Sequence, residues 1–250
     1  MRLSRHGTWE IILGTLLLAG MAAGLGWVWW PLALLPVPIW LWLLAFFRDP
    51  ERTVPGDAAS FVSPADGLVT DVGRVDHDEF LGGPALRIGI FLNVFNVHVN
   101  RSPCDGQVLQ TVYKRGRFLN ALKHEVASSE NESNTIVIGD KATARPIATV
   151  KQIVGLIARR IVCEPASGDV VARGQRIGLI KFGSRTEVSV PLWLAPEAAV
   201  RVGQKVRGAA DVICVVKGLA LLAGDRLAHT EVGVPPEERD APAGIPAIGV

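Results

Sequence analysis

The sequence predicts a mostly β fold, a β-rich α+β domain built as an antiparallel sandwich or barrel, preceded by an N-terminal transmembrane helical anchor. Three observations predict it. Short runs rich in Val and Ile, punctuated by Gly, Pro or Asp, fill the chain after residue 60. Two turn-and-strand motifs recur inside that region. A stretch of 37 residues without a single charge, Ile11 to Phe47, stands in front of it.

The front is the anchor, residues 1–48. One membrane span needs about 20 apolar residues, so the stretch supplies either two spans broken near Pro31 or one long span with an interfacial continuation. Arg2 and Arg5 precede it and Arg48 and Arg52 follow it, which predicts a hairpin with both ends in the cytoplasm. Trp27, Trp29, Trp30, Trp40 and Trp42 suit membrane surfaces. A cleaved signal peptide ending near Met21-Ala22-Ala23-Gly24 is the competing reading, and the second apolar run just downstream argues against it.

Pro50, Pro55, Gly56 and Asp57 mark residues 49–60 as a linker to the β-rich domain, residues 61–230. Strands are expected at Leu68–Val72, Ala85–Leu92, Val97–Val99, Gln107–Val112, Thr135–Ile138, Ala148–Ile157, Arg160–Cys163, Ile177–Ile180, Val188–Pro191 and Asp211–Val216. Leu119, Leu122 and Val126 give Arg117–Ala127 a helical period. Ser63-Pro64-Ala65-Asp66-Gly67 recurs 39 residues later as Ser102-Pro103-Cys104-Asp105-Gly106. Val171-Ala172-Arg173-Gly174-Gln175 is echoed by Val200-Arg201-Val202-Gly203-Gln204, a turn-and-strand unit of the kind that builds lipoyl-like β domains. The tail, 231–250, carries four prolines and few large apolar groups, and is expected to be disordered.

Composition narrows the function. A net charge of +2 without a dense Lys/Arg block gives no reason to expect nucleic acid. Cys104, Cys163 and Cys214 are unclustered and odd in number, so they read as buried thiols of a reducing compartment and not as a metal site or disulfide framework.

Gly183-Ser184 falls between two apolar runs, where one strand turns into the next. As an isolated pair it is ordinary turn chemistry. It is also the pair that self-processing proteins need, because a Ser hydroxyl can attack the preceding carbonyl and Gly gives that carbonyl little cover. The peptide becomes an ester; loss of the Ser α-proton eliminates the ester to dehydroalanine, which tautomerises and hydrolyses to a ketone at a new N-terminus.

The run Gly174-Gln175-Arg176-Ile177-Gly178-Leu179-Ile180-Lys181-Phe182-Gly183-Ser184-Arg185 resembles the processing site of the short, archaeal-type phosphatidylserine decarboxylase proenzymes. Phe61–Gly67 (FVSPADG), Phe91–Arg101 (FLNVFNVHVNR), Asn131–Asn134 and Gly155–Cys163 (GLIARRIVC) resemble other blocks of that family, in the same order. The resemblance implies self-cleavage between Gly183 and Ser184 into chains 1–183 and 184–250 that stay together. It implies a covalent pyruvoyl cofactor formed from Ser184, no metal, and conversion of phosphatidylserine to phosphatidylethanolamine at the cytoplasmic face of the cell membrane.

Residue by residue, spacing alone leaves Asp66 and Asp105 equivalent, and the resemblance selects Asp66 as the catalytic Asp. His98, on an expected strand within an apolar run, is the general base the resemblance implies, with an orienting carboxylate that raises its pKa. An Asp66-His98-Ser184 arrangement would then deprotonate Ser184. Longer bacterial members carry a second His where this chain has Phe95, so its proton transfer falls to His124, Tyr113 or water. Asn131–Asn134, with Ser133 in place of the family's Arg, reads equally as a polar loop or a headgroup contact. Arg48, Arg52 and Arg74 are candidates for the anionic headgroup. The alternative is a non-enzymatic membrane adaptor with a lipoyl-like β domain, which does not require Gly183-Ser184 to break.

Overall fold

The computed structural model describes residues 2–57, 59–122, 124–156, 160–181 and 183–218, and omits the side chains of His124 and Glu125; the expected tail lies outside the described residues. The charge-free stretch folds as a hairpin of two helices, α1 (Thr8–Val28) and α2 (Val37–Phe46), joined through a 3-10 turn at Trp30–Leu34. Pro31 enters that turn and Pro38 opens α2, since neither can continue a helix from its interior. At 21 residues α1 is about 31 Å long, the thickness of a bilayer's hydrocarbon. The ends of the hairpin meet: Ser4 N–H donates to the Phe47 carbonyl and Asp49 N–H to that of Arg2, each at 2.8 Å. Trp40 Nε1–H donates to Thr15 Oγ1 (3.0 Å) and ties the legs together.

The rest is β-rich. Fourteen strands follow among the described residues: β1 (Ser60–Val62), β2 (Gly67–Asp78), β3 (Gly83–Leu92), β4 (Val99–Arg101), β5 (Gly106–Lys114), β6 (Ser133–Gly139), β7 (Pro146–Val154), β8 (Arg160–Cys163), β9 (Val170–Val171), β10 (Arg176–Lys181), β11 (Ser184–Pro191), β12 (Pro196–Ala198), β13 (Lys205–Val206) and β14 (Val212–Val216). One short helix, α3 (His124–Glu130), precedes β6. The large sheet runs β13-β2-β3-β11-β7-β6-β5-β9, and two small sheets run β1-β14-β12 and β4-β10-β8. The named strands all pair antiparallel.

This order is symmetric. Exchanging β1–β3 with β4–β6 and β7–β10 with β11–β14 maps each sheet arrangement onto the other, with a pseudo-twofold between β7 and β11. The repeated Ser-Pro-x-Asp-Gly turns carry the symmetry in detail. Val62 N–H donates to Pro103 O (2.9 Å), and Arg101 N–H, 39 residues on from Val62, donates to Pro64 O (2.8 Å). In each copy the Ser hydroxyl closes the turn at 2.7 Å, Ser63 on Ala65 O and Ser102 on Cys104 O. Ile88, Ile90, Ile136, Ile138, Val150, Val188 and Val190 of the large sheet share one core with Ile177 and Ile213 of the small sheets.

Three expectations change. Among the described residues the helix expected over Arg117–Ala127 is confined to His124–Glu130. The Asn131 side chain takes both the N–H and the carbonyl of Leu119 (2.9 Å each), which holds Leu119 out of a helix. The Asn131–Asn134 stretch is no polar loop: Asn131 is buried, and Ser133 and Asn134 begin a strand buried along its length. The Val97–Val99 strand begins at Val99, because Asn93 and Asn96 close a turn with their side chains just before it.

Candidate active site

Gly183 and Ser184 sit at a corner between sheets. β10 ends at Lys181 in a small sheet and β11 begins at Ser184 in the large one, so the chain changes sheets there and forms no hairpin. Gly183 has φ +70°, a left-handed conformation that costs an L side chain about 1–2 kcal/mol. Its carbonyl faces Gly155, where a Cβ would come within 2.5 Å of the oxygen. Ser184 pairs with Leu92 on one side and Val154 on the other. Its hydroxyl is buried and has no hydrogen-bond partner among the described residues. An unsatisfied buried hydroxyl is rare enough in a native core to require a reason.

The His98 ring is fully buried. Its Nδ1 lies 3.0 Å from the Asn96 carbonyl, and the Gly183 N–H donates to its Nε2 at 3.2 Å. Those two partners select the tautomer with the proton on Nδ1 and the lone pair on Nε2. Burial, aided by the nearby Arg48 charge, pushes its pKa down to about 4. The expected carboxylate is therefore absent from His98, a backbone carbonyl takes its place, and the shift runs down instead of up.

Asp66 does not touch His98. Its carboxylate accepts from Arg52 Nη2 and from the Gly208 N–H, both at 2.7 Å. Burial raises its pKa, although the Gly208 bond and the Arg52 charge oppose the rise. Asp105 has the matching backbone bond, from Arg173 N–H at 3.0 Å, and no matching arginine among the described residues. Arg48 acts electrostatically on both Asp66 and His98. Its guanidinium is held by the carbonyls of Ala45 and Phe95, and no carboxylate pairs with it among the described residues. Arg52 is neutralised by Asp66, and Arg74 is exposed on β2.

A cavity of about 250 Å³ opens beside Gly183, lined among others by Asn93, Val94, Asn120, Gly155 and Leu156. Phe95 is 69 % exposed on the adjoining turn, and an aromatic ring there moves no proton. Tyr113 is exposed on β5 and does not line the cavity, while the His124 side chain lies outside the description. Cys104 and Cys214 are buried, with burial pushing the Cys214 thiol up to about 12. No metal-binding group of His, Cys, Asp and Glu is found among the described residues.

The sequence reading missed a buried amide chain next to Ser184. Asn134 Nδ2 donates to Gln152 Oε1 (3.1 Å), Gln152 Nε2 to Asn100 Oδ1 (2.9 Å), and Asn100 Nδ2 to Thr186 Oγ1 (3.1 Å). It crosses three strands of the large sheet and fixes β11 two residues past Ser184. Amides inside runs of Val and Ile were its one sequence signal.

The profile of the phosphatidylserine decarboxylase family matches residues 40–214. Relatives named phosphatidylserine decarboxylase proenzyme include one from Ralstonia nicotianae, 45% identical over 79% of this chain and 86% of its own. Another, from Rhodopirellula baltica, is 43% identical over 81% of this chain and 83% of its own. A third, from Carboxydothermus hydrogenoformans, is 44% identical over 86% of this chain and 96% of its own. The match takes in the hairpin's second leg from Trp40 onward, Asp66, His98 and the Gly183-Ser184 corner together: this chain belongs to the phosphatidylserine decarboxylase family.

Proposed function

We propose that the chain is a membrane-anchored phosphatidylserine decarboxylase proenzyme that cuts itself between Gly183 and Ser184 and forms phosphatidylethanolamine. The observation that carries the reading is the Ser184 hydroxyl, buried and unpartnered among the described residues, directly after a left-handed Gly whose carbonyl would be crowded by any side chain at Gly155. Those features fit an attack of Ser184 Oγ on the Gly183 carbonyl carbon. The C–N bond breaks as the ester C–O bond forms. His98 Nε2 takes the hydroxyl proton, exchanging its bond from the Gly183 N–H for one from Ser184, and returns it to the Ser184 nitrogen, which leaves as the amine; the neutral imidazole that burial enforces is the form able to accept it. Asp66 contributes through Arg52 and the shared field of Arg48, not by touching the imidazole.

The same corner fits a pyruvoyl group derived from Ser184, which supplies an electron sink for the electron pair left as carbon dioxide departs. Arg48 would hold the anionic headgroup, since its charge reaches His98 and no carboxylate pairs with it among the described residues, whereas Arg52 is taken by Asp66. The cavity beside Gly183 would take the headgroup against Asn93 and Asn120. After cleavage β11 keeps its ladders to β3 and β7, so residues 184–250 would stay in the centre of the sheet as the partner of residues 1–183. The hairpin reads as the anchor, and basic residues at its joined ends favour a cytoplasmic catalytic domain. The repeated halves suit lipoyl-like units, here serving an enzyme in place of an adaptor. Ser184→Ala is the test: it should remain one full-length chain without decarboxylase activity, whereas cleavage of that variant would refute Ser184 as nucleophile.

A further inference from the structure

The hairpin does more than precede the domain. Phe46, the last residue of α2, lies with its ring centroid 4.3 Å from that of His98 and its plane tilted by 32°. Both side chains are buried. Phe47 packs edge-on against Phe46 at 5.0 Å and Trp42 lies at 5.8 Å, while Val97, Val99 and Leu179 complete the cluster from β4, β10 and the turn before β4. The other leg reaches the same place: Glu10 of α1 pairs with the buried Lys181, two residues before Gly183.

His98 has hydrogen bonds only in the plane of its ring, at Nδ1 and Nε2. Neither fixes what lies over its face, and a ring open to water on that side would be solvated and charged near its ordinary pKa. Phe46 supplies that cover. We propose that Phe46 is a positioning residue for His98, so that the apolar hairpin forms one wall of the self-cleavage site and is not a detachable tether. The inference rests on the reading of His98 as the base for Ser184. It departs from a boundary at residue 48 between anchor and domain, since Phe46 and Phe47 are among the fully buried side chains.

The test follows conversion of freshly made full-length proenzyme, in detergent micelles, from one chain to two across pH 5 to 8. Phe46→Ala should slow conversion about 10-fold or more through a misplaced base. It should also move the acid limb of the profile upward, because a solvated His98 is protonated at pH 5.5 and a covered one is not. Phe46→Leu keeps the bulk and should recover most of the rate with little movement of the limb. A purely structural loss would lower the rate of Phe46→Ala at all pH values alike, and that result, like a wild-type profile, would overturn the proposal. Should Phe46→Ala fail to fold, a Phe46→Leu limb that moved as far as that of Phe46→Val would overturn it, and a graded movement would support it. His98→Ala separates the two readings: full-rate cleavage by it would remove the base assignment itself, whereas arrest of His98→Ala beside an unaltered Phe46→Ala would remove only the role of Phe46.

Discussion

His98 Nε2 accepts the backbone N–H of Gly183 at 3.2 Å, so the imidazole is held neutral one residue from Ser184. Its pKa of about 4 lies below the unfolded value of 6.5, so the unfolded chain binds the extra proton between those limits. Stability is therefore full above pH 6.5 and is lost as pH falls toward 4. Uncleaved Ser184→Ala protein should lose about 2 kcal/mol from this group between pH 7 and pH 5. Denaturant unfolding at the two pH values measures it, with Ser184→Ala/His98→Gln expected to show a smaller loss by that amount.

Gly155 should be as intolerant of a side chain as Gly183. A Cβ at 155 would stand 2.5 Å from the Gly183 oxygen and displace the carbonyl proposed as the target of Ser184. Gly155→Ala should slow cleavage at least about 10-fold, read on a denaturing gel, while its circular dichroism stays that of the parent.

The two Ser-Pro-x-Asp-Gly copies should respond differently. Asp66→Asn keeps an acceptor for the Gly208 N–H and removes the charge facing Arg52 in a mostly buried pair. Asp105→Asn removes a charge with no arginine opposite it. Slowed conversion is expected of the first and a parental rate of the second; equal rates would assign both turns to folding alone.

Arg48→Gln should act on the substrate. Its charge acts on His98 and meets no carboxylate among the described residues, so its loss should raise KM for phosphatidylserine roughly 10-fold, with a smaller change in kcat. Arg74→Gln, exposed on β2, should leave both constants unchanged.

Much of this was legible in the residues. Val and Ile spacing located most strands, and the repeat of Ser-Pro-x-Asp-Gly anticipated the pseudo-twofold, because each copy places a Gly where a strand starts under its neighbour's backbone. Gly183-Ser184 was legible as a corner between strands. What the sequence could not convey were relations between distant segments. Phe46 reads as one more membrane residue until the hairpin folds back on His98. Glu187 and Ser189 suggest a strand with one wet face, yet β11 is buried on both, since it lies centrally and Arg185 meets Glu187 at 2.8 Å as well as Asp71. The Asn96 carbonyl at His98 was hidden for a similar reason: a backbone acceptor leaves no residue type to read.

The central claim is that Ser184 becomes the new N-terminus without its amine, and the intact mass of the denatured wild-type protein tests it most directly. Two chains are expected, 1–183 and 184–250, the smaller about 17 mass units below a chain that begins with Ser, because one ammonia is lost overall as the amine and hydroxyl give way to a ketone. A single full-length chain that still decarboxylates phosphatidylserine would contradict the account, as would a small chain with an unmodified N-terminal Ser.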